Sequence, residues 1–334
     1  MDLNIQLTSA EHAQIWGAYQ NASLTSAVLK YFDKKTEDGE IKPVIQDALA
    51  LELSHLSKLK QIFEKENFPI PIGFTDNDIN ADAPRLYTDN FMLHYAIQMG
   101  QLGMVAFSTA IPMVTREDIY IFYSEGLRQY NEIHQKALLI ALTKGLFVKP
   151  PAIPLLKEID FVKKQSFLTG WFGERRPLTG MEITNLYSNM QRNNLGIATL
   201  TGFSQVAKSK EVKDYLVRGI EIAKKHVNVF SSVLSEGDIP TPSGSDSMVT
   251  QANEVSPFSD KLIMSHVTAM ITLGIAFYGM SITTNIRRDL VTTYTRLSAE
   301  IALYSEDGAN IMIDNEWLEE PPRMVDREEL SKPQ

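Results

Sequence analysis

The sequence predicts an all-α protein made of two tandem four-helix bundles. Three observations carry that reading. Shifted by 171 positions, residues 7–151 align with residues 178–322 without a gap and with 26 identities. Unrelated chains of average composition would share about 9. Apolar residues recur at helical spacing through both copies, and no stretch alternates like a strand between turn signals. The links between these segments run short, long, short, which determines how the helices pair.

In the first copy, Thr8-x-x-Glu11 is a capping-box pattern that opens a helix over about residues 9–33. A second helix runs from about Glu40 to Asn67, with apolar residues at 44, 48, 51, 59 and 62. A third runs from about Tyr87 to Ile111 and stops before Pro112. A fourth starts at Thr115 or Arg116 and reaches about Leu146. The second copy repeats them at about 180–207, 211–236, 258–283 and 287–315.

The repeat is anchored at both ends of these helices. Leu178-Thr179-x-x-Glu182 repeats Leu7-Thr8-x-x-Glu11, His226 repeats His55, and Pro240-x-Pro242-x-Gly244 repeats Pro69-x-Pro71-x-Gly73. Asp260 repeats Asp89, and Arg287-x-Asp289 repeats Arg116-x-Asp118. The expected domains are therefore residues 1–151 and 178–322. Residues 152–177 join them, and with Phe161, Phe167, Trp171 and Phe172 this linker is too aromatic for a freely solvated tether. It is expected to pack on the bundles. Residues 323–334 form a polar tail.

Short first-to-second and third-to-fourth links make antiparallel hairpins. The second-to-third link, residues 68–86, can extend to about 60 Å, whereas helix two is only about 40 Å long. It can return the chain along the whole bundle, and one long crossover between two helical hairpins is the ferritin-like arrangement. The third helices, Phe91–Val114 and Leu262–Ile282, are apolar almost all round. A membrane span is the rival reading for such a segment. Ser265, His266, Thr268 and Thr272, with His94, Gln98 and Gln101 in the first copy, favour a helix buried on two sides. The two bundles are expected to pack together partly through these helices, with Gly100, Gly103, Gly274 and Gly279 allowing close approach.

Composition restricts the chemistry. The chain of 334 residues has 32 basic and 41 acidic side chains, a net charge of −9, and no cysteine. Disulfides, thiolate ligands and cysteine nucleophiles are excluded. Basic residues come as dyads rather than stripes, so no nucleic-acid partner is expected. The amino terminus MDLNIQL has neither a basic nor an apolar signal region, which points to the cytoplasm. No phosphate loop, dinucleotide fingerprint or nucleophile elbow is present.

Metal chemistry is the possibility that the fold itself raises. A di-metal carboxylate site in a ferritin-like bundle takes a Glu from each of two helices and a Glu-x-x-His from each of the other two. Glu52-x-x-His55 supplies one such pair, and Asn131-x-x-His134 puts Asn where the second carboxylate belongs. In the second copy His226 persists, Ala223 replaces Glu52, Ser305 replaces His134, and His266 and Glu300 are gained. At about 100° per residue His226 and His266 both face inward, with Glu300 at the edge of its stripe. His226, His266 and Glu300 are thus a candidate two-His-one-carboxylate set for Fe, Mn or Zn. Glu52, His55 and His134 are candidate ligands in the first copy. The plainer reading gives each imidazole a facing hydroxyl or carboxylate as its partner.

Four segments carry a family resemblance: Phe161 through Leu178, the Phe-Pro-Ile-Pro-Ile-Gly-Phe loop at 68–74, Gly202 through Val212, and Ser256-Pro-Phe-Ser-Asp260. Together they resemble a family of duplicated, uncharacterised proteins of Bacillus-type spore formers, ferritin-like and distantly similar to spore coat protein F. The resemblance implies a soluble double four-helix protein connected with sporulation or the spore coat, partnered by itself or by coat proteins. It supplies no catalytic residue. The expected function is a non-enzymatic structural or interaction protein, and the alternative is metal-dependent redox or metal handling at the His/Glu sites.

Overall fold

The computed structural model describes residues 6–155, 157–171, 175–241, 248–250 and 255–324. Phe172, the Pro242-x-Gly244 half of the repeated loop and most of the 323–334 tail lie outside the described residues. Eight long helices make up the described fold: α1 (Ser9–Lys35), α2 (Lys42–Lys65), α3 (Asp89–Ala110) and α4 (Glu117–Thr143) in the first half, and α5 (Gly180–Val206), α6 (Lys210–Ser235), α7 (Asp260–Thr284) and α8 (Arg288–Asp314) in the second. The strongest packing joins α1 to α2, α3 to α4, α5 to α6 and α7 to α8, the four hairpins expected from the short links.

The repeated residues do repeated work. Thr8 and Thr179 each close a capping box with Glu11 and Glu182. Asp89 at the start of α3 accepts from the backbone N–H groups of Glu37 and Asp38, and Asp260 does the same for Lys208 and Ser209. These contacts put the start of each third helix beside the start of the second. The crossover has therefore carried the chain back along the bundle. Both α2 and α6 end on a left-handed residue, Asn67 (φ 52°) and Asp238 (φ 54°). Both α4 and α8 do so as well, at Gly145 (φ 67°) and Glu316 (φ 57°). In all four, the next N–H reaches back to the carbonyl five residues earlier, as a Schellman stop requires.

The two crossovers meet at the junction of the bundles. Ile79 bridges Phe258 and Tyr87 bridges Val249 in short antiparallel contacts. Helix α1 packs on α7 and α3 on α5, so the first and third helices of each copy face the other bundle. Tyr87 donates to the carbonyl of Thr199 at 2.7 Å and occupies the space that a Cβ on Gly202 would need.

Two expectations need correction. Gly100 and Gly103 do admit close neighbours, but these are His134 and Tyr130 of α4 in the same bundle. Gly274 has only the Ile301 side chain of α8 at an ordinary contact distance of 3.7 Å, and Gly279 has no neighbour within 4 Å, so neither brings the other bundle close. The apolar window of α7, long enough by composition to cross a membrane, is only one-third buried. The linker also departs from uniform packing. Its Phe167 stacks under Arg176 at 4.1 Å, yet Leu155 and Phe161 are 96% and 80% exposed.

Candidate functional site

Helix α2 carries Glu52 and His55 one turn apart on its buried face. The Glu52 carboxyl accepts a hydrogen bond from Tyr130 of α4 at 2.8 Å, and its other oxygen is buried without a partner. Burial pushes Glu52 up to about 8 despite the Tyr130 bond, so it carries a proton at neutral pH. Burial pushes His55 down to about 4, and its ring stacks on Phe107 at 5.3 Å with Nε2 3.4 Å from Gln129 Oε1. The 4.0 Å approach of His55 Nδ1 to Glu52 is therefore a contact between two neutral groups rather than an ion pair.

The second bundle builds a different knot around the equivalent histidine. His226 Nδ1 lies 2.9 Å from Tyr278 Oη on α7, and Nε2 lies 3.2 Å from Glu300 on α8. Tyr278 Oη accepts from Asn193 of α5 at 2.9 Å, and Glu300 accepts from Lys225 at 2.7 Å. One assignment of protons satisfies every partner: Asn193 donates to Tyr278, Tyr278 donates to Nδ1, and Nε2–H donates to Glu300. Burial lowers the His226 pKa, with Glu300 opposing, which keeps the ring neutral as that assignment requires. All four helices of the bundle contribute to this chain of bonds.

The remaining candidates stand apart. His134 is half-buried with Nε2 3.4 Å from Gln101 and has no carboxylate beside it. His266 lies at the seam between bundles, where Nε2 is 3.3 Å from Tyr95 Oη and the ring stands edge-on to Phe203. It does not join His226 and Glu300, so the expected two-His-one-carboxylate set is not assembled. Among the described residues no three His, Asp or Glu side chains are placed to share an ion. His266 falls on the apolar stripe with Met270 and Leu273, but its imidazole reaches Tyr95 of the other bundle. Sequence reasoning missed Tyr278, Asn193 and Gln129. Tyr130 reads from sequence as a core tyrosine with a polar tip, and Glu52 is what engages that tip.

Comparison with known proteins follows the same division of the chain. A family model described as "Protein of unknown function (DUF3231)" matches residues 1–159 and again residues 166–330. No curated protein matches. A solved structure from Bacillus halodurans C-125, a "putative spore coat protein", is similar at 16% identity and a TM-score of 0.43, covering 45% of this chain and 98% of its own.

Proposed function

We propose, from the premise that this chain belongs to the DUF3231 family of proteins of unknown function, that it is a non-enzymatic structural or interaction protein. The closed hydrogen-bond chain around His226 carries the reading. Its one imidazole lone pair is taken by Tyr278, and Glu300 is divided between His226 and Lys225. A resident metal needs deprotonated ligands with free lone pairs, and a catalytic one needs an open position as well. In the first bundle one Glu52 oxygen is likewise engaged by Tyr130. The loop and linker motifs shared with the spore-former family support a place in sporulation or the coat, with the chain itself or coat proteins as partners.

Elemental analysis of the purified full-length protein tests the first part. Iron, manganese and zinc should each fall well below one ion per chain. Stoichiometric tightly held metal that disappears in His226→Ala and His266→Ala would instead support metal handling. A fluorescent fusion in sporulating cells tests the second part: signal should collect on the forespore, and signal confined to growing cells counts against a coat role.

A further inference from the structure

A cavity of about 660 Å³ lies between the bundles and reaches into both. That volume is in the range of pockets that enclose small molecules. Its wall is mainly apolar, with Leu102 and Ala106 from α3, Leu195 from α5, Ile222 from α6, and Met270 and Leu273 from α7.

Two cations line that wall: Lys261 is engaged by the Gly73 carbonyl at 3.0 Å and the Phe74 ring, whereas Arg192 keeps a buried donor unused. Arg192 of α5 places its guanidinium 3.6 Å from the centre of the Phe277 ring, and Nη2 reaches Asn189 Oδ1 at 3.3 Å. Its Nε is buried with no hydrogen-bond partner, and among the described residues no carboxylate pairs with it. The two acids that share the cavity wall are committed elsewhere. Glu52 is neutral and bound by Tyr130, and Glu319 accepts from the N–H groups of Ile72 and Gly73. Burial lowers the Arg192 pKa to about 10, so the group remains cationic at neutral pH. In the first copy Asn21 stands at the equivalent position, so the bundle pattern itself does not call for a charge there. A desolvated guanidinium beside an apolar cavity is costly until an anion joins it, and its planar fork matches a carboxylate.

We propose that the inter-bundle cavity binds a single long-chain carboxylic acid, with its alkyl chain between α3 and α7 and its carboxylate on the Arg192 guanidinium. A phosphate-headed amphiphile offers related anionic chemistry, and the test separates the two.

The test is displacement of dansylundecanoic acid from the delipidated full-length protein by palmitate, hexadecanol and hexadecyl phosphate. Palmitate should compete at one site per chain, at least about tenfold better than hexadecanol, as expected for one charge-assisted hydrogen-bonded pair. Hexadecyl phosphate should bind more weakly than palmitate. Arg192→Gln should weaken palmitate about tenfold to a hundredfold and leave hexadecanol unchanged. Ala106→Trp, which fills the cavity, should weaken both. Failure of palmitate to compete overturns the proposal, as does equal binding of palmitate and hexadecanol. Tighter binding of hexadecyl phosphate, or binding to anionic vesicles without binding of free palmitate, also overturns it. Should Arg192→Gln fail to fold, the palmitate-to-hexadecanol ratio on the unaltered chain still decides.

Discussion

Tyr95 and His266 occupy the same position of the repeat, 171 residues apart, and they touch: Tyr95 Oη lies 3.3 Å from His266 Nε2. Each ring also stands edge-on to the equivalent phenylalanine of its own copy, Phe32 at 5.1 Å and Phe203 at 5.5 Å. The pseudo-two-fold relation between the bundles therefore runs through this contact. Residues on such an axis meet their own counterparts, and here duplication has been followed by divergence into a hydrogen-bonding pair.

That geometry predicts a swap. Tyr95→His alone puts two imidazoles together and His266→Tyr alone puts two phenols together; each should destabilise by about 1–2 kcal/mol. The double exchange restores a Tyr–His pair in reversed order, against the same flanking phenylalanines. Its loss should be smaller than the sum of the singles by at least about 0.5 kcal/mol. Urea unfolding of the four proteins measures this. Strict additivity would show that the pair carries no coupling.

Glu52 predicts an unusual pH dependence. Its folded pKa, about 8, lies above the ordinary 4.5 because burial disfavours the carboxylate. Stability held by the neutral acid is fully present below pH 4.5 and is lost as pH rises through about 8. Glu52→Gln keeps an oxygen for Tyr130 and cannot ionise. It should therefore gain on the parent by roughly 2–3 kcal/mol between pH 5 and pH 8. Melting both proteins at the two pH values checks it, and a constant difference would refute the assignment.

Glu182 acts in the opposite sense. Its carboxylate is fully buried, bound by both Arg176 amine arms at 2.8 Å and by the N–H groups of Thr179 and Arg287. Burial alone would raise its pKa, but Arg176 and the two N–H groups together bring it down to about 2. Its contribution is present above pH 4.5 and is lost as pH falls toward 2. Glu182→Gln should cost roughly 2–3 kcal/mol at pH 7 and flatten the acid limb of the stability curve. A parallel, undiminished acid limb would assign that limb to other carboxylates.

The fold was legible because the features that specify it are local and written twice. Thr8-x-x-Glu11 and its copy cap helices by short-range bonds, and link lengths decide which helices can be antiparallel neighbours. The site was legible in part. His55 and His226 are buried where their periodicity put them, and Glu300 reaches His226 from the edge of its stripe because a glutamate is long enough. His266 misled because α7 has two apolar faces, one for its own bundle and one for the seam and cavity. A helical wheel gives the angle of a residue but not which neighbour covers that angle. Arg192 was invisible for a related reason. In the polar run Gln191-Arg192-Asn193-Asn194 nothing marks it as the residue that lies against Phe277 in the wall of the cavity.

The last prediction comes from comparing the two copies where α4 and α8 stop. Gly145 and Glu316 are equivalent and both adopt a left-handed backbone, at φ 67° and 57°. Glycine takes that conformation at no steric cost, whereas a side chain brings Cβ against the following carbonyl, at roughly 1–2 kcal/mol. The stop itself is the same in both copies, since Leu146 N–H bonds to the Ala141 carbonyl and Trp317 N–H to the Met312 carbonyl, each at 2.8 Å. The Glu316 side chain is exposed, so its removal gives up no buried contact. Glycine does add freedom to the unfolded chain, which offsets part of the relief. The balance favours the variant: Glu316→Gly should stabilise by about 0.5–1 kcal/mol in urea unfolding, and Gly145→Glu should destabilise by a similar amount. A loss of stability in Glu316→Gly would mean that unfolded-state entropy, and not backbone strain, dominates at this stop.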